Sequence, residues 1–431
     1  MSWDRDRLRK PTGALDEAGP AFARICPFSP RAANEDVIAA ERFPSASAHD
    51  VRLGRFEATY VGNADAATRS LGSSGGMVSW VATELLRRGE IDGVAHVVPT
   101  GGEDGVFFRY AISRTPGEVS AGAKSRYFPI DLAEVLAEIR ATPGRYAIVG
   151  IPCFIKAVNL LRAEDPVIAE RVTHLLGLFC GHMKSGRFVD SFAWQLGVDP
   201  KAVRAVDYRR KDEGRPANWY TAQLTLADGQ VHARDWWHLA DGDWGAGFFQ
   251  ASACNFCDDV VAETADISFG DAWVEPYSSD GRGTNVVVVR SRGLRDLLAE
   301  GISREALALT EVDADFVAGT QDAGLRHRRE GLAYRLTWRS RGIVPVKRVH
   351  PSAAGLGWRR RCVYRMRAGI ARWSHPVARL AAFTRPEVYV SWARASLALY
   401  QGLTYGRGWA GRMADGLERV LRTRALRNQK R

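Results

Sequence analysis

Six cysteines are the residues of this sequence best suited to metal or redox chemistry. They are Cys26, Cys153, Cys180, Cys254, Cys257 and Cys362. Cys254 and Cys257 form a C-x-x-C pair, a spacing that lets two thiolates bind one metal ion or two corners of one cluster. The chain is long, poor in cysteine and opens without an apolar signal segment. These cysteines therefore indicate metal binding, redox chemistry or burial rather than a disulfide framework.

Cys153 and Cys180 each lie where a predicted strand ends. The strands RYAIVGIP and THLLGLFC are each followed by a predicted helix, an alternation that places their carboxyl ends at one edge of a parallel sheet. Two thiols there and the C-x-x-C pair make a four-thiolate set, which suits zinc and an iron–sulfur cluster equally by residue type. Taken singly, each cysteine also fits a small core residue.

A second candidate site is the loop LGSSGG, which ends at Gly76. It follows the strand-like FEATYVG and precedes the helix-like MVSWVATELLRRG. Its free amides and hydroxyls suit a phosphate, or the pyrophosphate of a dinucleotide, at the helix N-terminus. The loop matches neither G-x-G-x-x-G nor a Walker sequence, so a turn that only caps the helix explains it as well.

Polar residues flank both motifs. His182, two residues after Cys180, is the candidate for proton transfer, and Lys184 suits an anionic group; solvated or capping roles explain both equally. The basic run 209–211 follows a predicted strand, and it fits either an acidic or phosphate group or a solvated strand end.

The elements that position these residues predict an α/β protein of two or three domains. Strands and helices alternate up to about residue 200, which indicates mostly parallel sheets with flanking helices. Shorter β-like pieces follow, VRAVDYR, YTAQLTLADGQ and VHARDWW, and lead into the segment that carries the C-x-x-C pair. Residues 1–55 show no sustained periodicity and are predicted to be an N-terminal arm with Cys26. Residues 336–431 are predicted to be a basic helical region.

Charge is unevenly distributed along the chain. The net charge of +11 divides into +17 for residues 341–431 and −6 for the remainder. No stretch reaches the roughly 18 uninterrupted apolar residues that a spanning helix needs. We therefore expect a cytoplasmic protein, with the basic region as its route to the inner face of a membrane.

Four separated segments, taken in order, resemble one family. They are SGGMVSWVATELLRRGEIDGVAHV, GIPCFIKAV, LFCGHMKSGRFV and CNFCDDVVAETADISFGDAW. In this order they resemble the coenzyme F420 hydrogenase/dehydrogenase beta-subunit family, which includes reductases of 7-hydroxymethyl chlorophyll and divinyl chlorophyllide. The resemblance covers about residues 25–300. It implies FAD and one [4Fe–4S] cluster, with a flavin-binding part at 56–143 and a cluster-binding part at 144–335.

The resemblance also implies roles for individual residues. Cys153, Cys180, Cys254 and Cys257 look like the cluster ligands. The residues implied at the flavin are Arg69, Ser73, Ser74, Gly75, Gly76, Lys124, Tyr127, Gly283, Thr284 and Asn285. Relatives with a ferredoxin module carry C-x-x-C-x-x-C-x-x-x-C-P, of which only Cys26-Pro27 remains here. A second cluster is therefore not expected, and Cys26 stays open as an alternative ligand or an inert remnant.

The implied activity is an oxidoreductase that passes electrons between an unidentified substrate and ferredoxin, coenzyme F420 or NAD(P)H. The substrate is expected to be a small molecule or a lipid- or glycan-linked compound. Two alternatives stay open: an accessory electron-transfer subunit of a larger complex, and a non-redox relative in which the cysteines hold zinc.

The basic C-terminal region lies outside the resemblance. Its arginines alternate with Trp358, Trp373, Trp392 and Trp409, a mixture that suits an anionic membrane surface or an acidic partner. Nucleic acid also fits such a composition but is the less expected partner. Basic helices that pack on the body and face water explain the region equally.

Overall fold

The computed structural model describes residues 1–13, 19–338 and 345–429, with side chains up to residue 419. Part of the predicted arm (14–18) and parts of the predicted basic region (339–344 and 430–431) lie outside the described residues.

The strands, in chain order, are β1 (Ser2–Trp3), β2 (Arg9–Lys10), β3 (Ala48–Asp50), β4 (Gly54–Phe56), β5 (Ala58–Ala64), β6 (Gly93–Pro99), β7 (Phe108–Ser113), β8 (Tyr146–Gly150), β9 (Val172–Leu178), β10 (Val203–Arg210), β11 (Thr221–Leu226), β12 (Val231–Asp235), β13 (Ile267–Asp271), β14 (Asn285–Val289) and β15 (Leu307–Glu311).

The helices, in chain order, are α1 (Pro20–Ile25), α2 (Glu35–Arg42), α3 (Ala66–Leu71), α4 (Met77–Arg87), α5 (Pro116–Ala121), α6 (Ala133–Ala141), α7 (Pro152–Glu164), α8 (Pro166–Arg171), α9 (Arg187–Leu196), α10 (Arg292–Ser303), α11 (Ala314–Thr320), α12 (Asp322–Arg328), α13 (Glu330–Leu336), α14 (Trp358–Phe383), α15 (Pro386–Tyr405) and α16 (Gly408–Gln429).

A mixed sheet of eight strands forms the centre of the part of the chain that the structure describes. Its order is β15-β5-β14-β13-β9-β8-β6-β7. The four strands β13, β9, β8 and β6 pair in parallel, and β5 points the same way because two antiparallel pairings separate it from β13. Five of the eight strands therefore share one direction, which confirms the predicted α/β fold with a mostly parallel sheet.

The inner strands are apolar along their whole length. Every residue of β8 and of β14 is buried, the pattern expected of strands that helices cover on both faces. The pairing of Gly150 with Gly177 places the ends of β8 and β9 side by side. The carboxyl edge of the parallel strands is therefore the place where several loops meet.

The shorter β-like pieces form a separate antiparallel sheet, β10-β11-β12. The turn between β11 and β12 contains Asp228-Gly229, and Gly229 adopts a left-handed φ of +84° that favours glycine. Tyr208, Leu224 and Trp236 of this part join Phe188 of α9 in an aromatic-rich core.

The C-terminal region is helical, as predicted. Helix α15 packs between α14 and α16. Ile370 and Ala378 of α14 and Tyr389 of α15 bury into the aromatic-rich core, so these helices are part of the folded body. None of the helices within residues 1–13, 19–338 and 345–429 combines the length and apolarity needed to cross a membrane.

Candidate functional site

The four cysteines of the predicted set lie on loops at the carboxyl edge of the central sheet. Cys153 is the second residue of α7, directly after β8, and Cys180 follows β9 by two residues. Cys254 lies in a short 3₁₀ turn, and Cys257 caps the end of that turn. Because β8 and β9 are parallel neighbours, Cys153 and Cys180 adjoin as the sequence predicts.

These thiols are close enough to affect one another. Burial raises the pKa of Cys153 well above its ordinary value, and the neighbouring Cys257, Cys180 and Cys254 raise it further. Burial likewise raises the pKa of Cys180 to about 12 and that of Cys257 to about 11. Burial thus favours the neutral thiol form of these groups, and a bound metal ion would favour their thiolate form.

Backbone groups fix the sulfur atoms. The Met183 amide donates to Cys254 Sγ at 3.3 Å, and Cys257 Sγ donates to the Asp259 carbonyl at 3.3 Å. The Cys180 amide donates to the Val260 carbonyl at 2.9 Å, which ties the β9 loop to the segment after the C-x-x-C pair. The described residues contain no group of three or more histidine, cysteine, aspartate or glutamate side chains arranged to hold a metal ion.

Arg328 is the buried cation at this cluster of cysteines, and sequence reasoning missed it. Its Nη2 donates to the carbonyls of Cys180 at 2.8 Å and Gly181 at 2.7 Å, while Nη1 has no hydrogen-bond partner in the structure. Only 2% of the residue is exposed. Burial opposes its charge, but Cys257, Cys180 and Cys254 together raise its pKa above the usual value.

A second arginine holds the C-x-x-C turn. Arg335 Nε donates to the carbonyl of Asn255, which lies between the two cysteines, at 2.9 Å. Arg328 ends α12 and Arg335 lies in α13, so one pair of consecutive helices delivers both cations. The run RHRR at 326–329 marks α12 as basic, but nothing in it says that one arginine is buried.

His182, the candidate for proton transfer, is buried beside the cysteines. Its ring stacks on Trp244 with the centroids 4.3 Å apart, and neither ring nitrogen has a hydrogen-bond partner in the structure. Burial lowers its pKa well below the ordinary value, and Lys184 and Arg367 lower it further. The imidazole is therefore neutral in this environment.

Cys26 caps the end of α1 and is partly buried. The next residues, Pro27 and Phe28, line a small cavity together with Cys153 and Cys257. The segment that carries Cys26 therefore lies beside the four cysteines, and its role as a ligand stays a prediction.

The glycine-rich loop lies between α3 and α4, at the same edge of the sheet. Gly76 has a left-handed φ of +81° and α4 begins at the next residue. Gly75 has no room for a side chain, because a Cβ there would lie 2.8 Å from the Asn285 amide nitrogen. Asn285 Oδ1 accepts from the Met77 amide at 3.2 Å, and its Nδ2 donates to the Gly270 carbonyl at 2.9 Å.

The residues implied around this loop come together. Arg69 Nε donates to the Gly283 carbonyl at 2.8 Å, and Ser74 Oγ donates to the Thr284 carbonyl at 3.1 Å. Gly283 adopts a left-handed φ of +79°, and a Cβ there would lie 2.7 Å from Ser74 Cα. The segment that opens β14 therefore packs directly against the loop.

The AGAKSRY segment reaches the same place. The Ser125 amide donates to Ser73 Oγ at 2.9 Å. Lys124, with a left-handed φ of +95°, pairs with Asp207 on β10. Tyr127 lies next to Trp244, with ring centroids 4.7 Å apart.

Two residues of the basic run 209–211 donate hydrogen bonds to backbone carbonyls of the glycine-rich loop and its neighbour Arg69. Arg209 is 6% exposed, pairs with Asp271 at 2.9 Å and donates to the Ser73 carbonyl at 3.3 Å. Lys211 Nζ donates to the carbonyls of Arg69 at 2.6 Å and Ser74 at 3.2 Å, and burial lowers its pKa to about 8. Arg209 is buried and Lys211, directly after β10, is half-buried, while Arg210 is exposed.

The loop and the cysteines lie side by side along one sheet edge. The loop contacts β5 and the start of β14, whereas Cys180 and Cys153 follow β9 and β8, which lie beyond β13 in the sheet. Because neighbouring strands lie about 4.8 Å apart, the loop and the cysteines are roughly 10–15 Å from each other along the sheet edge. The ring contacts His182–Trp244 and Trp244–Tyr127 run between them.

Comparison with known proteins identifies the family and the fold. Two family models of the coenzyme F420 hydrogenase/dehydrogenase beta subunit match the chain, the N-terminal one at residues 59–137 and the C-terminal one at residues 144–315. No curated protein matches the chain. Among solved structures, one from the F420-reducing [NiFe] hydrogenase complex of Methanosarcina barkeri is similar in fold. It has a TM-score of 0.51 and 16% identity, over 67% of this chain and 94% of that one. The two family matches together cover more than half of the sequence, so the chain belongs to the coenzyme F420 hydrogenase/dehydrogenase beta-subunit family.

Proposed function

We propose that this chain is an oxidoreductase that binds FAD and one [4Fe–4S] cluster and passes electrons between a carrier and a substrate. The carrier is a ferredoxin, coenzyme F420 or NAD(P)H. The observation that carries the proposal is that four cysteines, Cys257 buried and the other three partly buried, lie near one another at the same sheet edge as a loop suited to a dinucleotide.

The donor set suits a cluster bound by four thiolates. Cysteine thiolates are the usual ligands of [4Fe–4S] clusters, and an anionic cluster offsets the burial cost of a nearby cation. Arg328 is such a cation, and its free Nη1 is a donor available to a cluster sulfur. Cys153, Cys180, Cys254 and Cys257 would hold the cluster, with Cys26 as the alternative ligand.

The loop suits the phosphates of FAD. Gly75 and Gly76 allow a close approach of backbone amides at the start of α4. Lys211 adds a positive charge beside the loop, whereas Arg69 and Arg209 are paired with Asp280 and Asp271. When bound, flavin exchanges a hydride and the cluster passes single electrons. The side chains of this chain would bind and orient the flavin, and Lys124 and Tyr127 flank Ser125, whose amide donates to Ser73 of the loop.

Anaerobic purification tests the proposal directly. We expect flavin absorbance bands, a broad iron–sulfur shoulder, and iron and acid-labile sulfide in a ratio that fits one four-iron cluster. Zinc with no flavin would overturn the proposal in favour of a structural zinc site. A flavin and cluster protein that reduces no acceptor with an artificial electron donor would favour an accessory subunit, in keeping with the complex that contains the structural neighbour.

Arg328 provides a further prediction. Replacing Arg328 with Met removes the donor beside the cysteines, and we expect iron to be held about 10- to 100-fold more weakly, as for other groups that support metal ligands. The measurement is the rate of iron loss to a chelator. Arg326→Met is the matched control, because Arg326 lies on the same helix and makes only an exposed pair with Asp322.

Equal rates of iron loss in the Arg328→Met and Arg326→Met variants would contradict this role. If Arg328→Met does not fold, Arg328→Lys keeps the charge but has no second terminal nitrogen in the place of Nη1, so it carries the same comparison.

A further inference from the structure

Helix α14 presents an exposed stripe of aromatic and aliphatic side chains. Trp373, Leu380 and Phe383 lie at spacings of seven and three residues, on one side of the helix, and are 55%, 54% and 89% exposed. Other residues of α14, among them Ile370 and Ala378, are buried in the core. The stripe therefore faces away from the body.

The other two C-terminal helices continue this pattern. Nine of the 19 large apolar side chains that are exposed in the described part of the chain lie on α14, α15 and α16. The six on α15 and α16 are Val388, Leu399, Tyr405, Trp409, Met413 and Leu417. Helix α15 buries Tyr389, Ala393 and Tyr400 on its inner side. These nine side chains, called the C-terminal face, make the three C-terminal helices unusually rich in exposed apolar side chains.

Uncompensated positive charge surrounds the C-terminal face. Residues 358–419 contain 12 arginines and only three acids. Arg372, Arg385 and Arg394 are exposed, and none forms an ion pair with a residue that the structure describes. Arg372 adjoins Trp373, and Arg385 lies two residues beyond Phe383, so the cations flank the apolar stripe.

We propose that the C-terminal face binds the surface of an anionic lipid bilayer, with α14 lying in the interface. At the surface of an anionic bilayer, arginines bind the lipid headgroups and exposed aromatic rings bury into the boundary with the acyl chains. The C-terminal face offers both kinds of side chain. Nucleic acid would engage the arginines and stack on the tryptophans, but it offers nothing to Leu380, Val388, Leu399, Met413 and Leu417. The proposal stands independently of the flavin and the cluster.

Co-sedimentation of the purified holoprotein with vesicles tests the proposal. We expect binding to phosphatidylcholine vesicles that contain phosphatidylglycerol, little binding to phosphatidylcholine alone, and weaker binding at high salt. The variant Arg372→Gln/Arg385→Gln/Arg394→Gln should bind anionic vesicles roughly 100-fold more weakly. The variant Trp373→Ser/Leu380→Ser/Phe383→Ser should lose binding at every salt concentration.

Trp237→Ser is the matched control, because Trp237 is 59% exposed but lies after β12, outside the C-terminal face. This control should bind like the wild-type protein. Absence of vesicle binding, full binding by the Trp373/Leu380/Phe383 variant, or single-stranded RNA that binds and displaces the vesicles would overturn the proposal. If the triple variant is misfolded by circular dichroism, Phe383→Ser alone carries the comparison.

Discussion

The double variant Cys254→Ala/Cys257→Ala is expected to lose essentially all iron and acid-labile sulfide while it retains flavin. The reason is that a four-iron cluster bound by four thiolates is not held in the protein when two of these thiolates are removed. The glycine-rich loop contacts β5 and β14 and needs neither cysteine. Iron, sulfide and flavin per chain, measured after anaerobic purification, check both halves of the expectation.

Cys362→Ala is the control for this experiment. Cys362 lies in α14 and is not among the thiols that raise the pKa of Cys153. Its removal should leave the spectrum unchanged. Iron retained by the double variant would show that the ligand set is wrong, and iron lost from a Cys26→Ala variant would place Cys26 in the set.

The second large effect is expected at Gly75. A Cβ at this residue would lie 2.8 Å from the Asn285 nitrogen and 2.9 Å from the Gly62 carbonyl oxygen, both backbone atoms that cannot step aside. The loop must shift outward in a Gly75→Ala variant, and returning it for binding costs about 1–3 kcal/mol. FAD should bind roughly 10- to 100-fold more weakly, while iron content stays normal.

Fluorescence titration of the flavin-free protein with FAD measures this effect. Gly117→Ala is the matched control, since a Cβ at Gly117 in α5 would meet nothing within 4 Å. FAD affinity that is the same in the Gly75→Ala and Gly117→Ala variants would remove the loop from the flavin site.

Much of the site follows from sequence because its residues lie in short segments with recognisable neighbours. Strand–loop–helix units predicted Cys153 and Cys180 at one sheet edge, and the structure places them there with the C-x-x-C pair. The alternation of buried strands and helices likewise predicted the fold class. The roles of these residues as ligands, and those of the loop residues at FAD, stay predictions.

The direction of β14 could not be predicted, because a buried apolar run such as NVVVV fits a parallel and an antiparallel strand equally well. It inserts antiparallel between β5 and β13, and this brings its first residue, Asn285, to the carboxyl edge and onto the glycine-rich loop. The burial of two arginines could not be predicted from the sequence either. Arg328 and Arg209 stand in basic runs typical of exposed ends, and only long-range packing buries them.

The position of Arg328 also bears on biogenesis. The two family-matched segments end at residue 315, yet the arginines that hold Cys180 and the C-x-x-C turn come from α12 and α13, further along the chain. The chain must therefore be synthesised to at least residue 335 of 431 before all the contacts around the four cysteines can form. The surroundings of the four cysteines are therefore completed by residues that are synthesised after the family-matched segments.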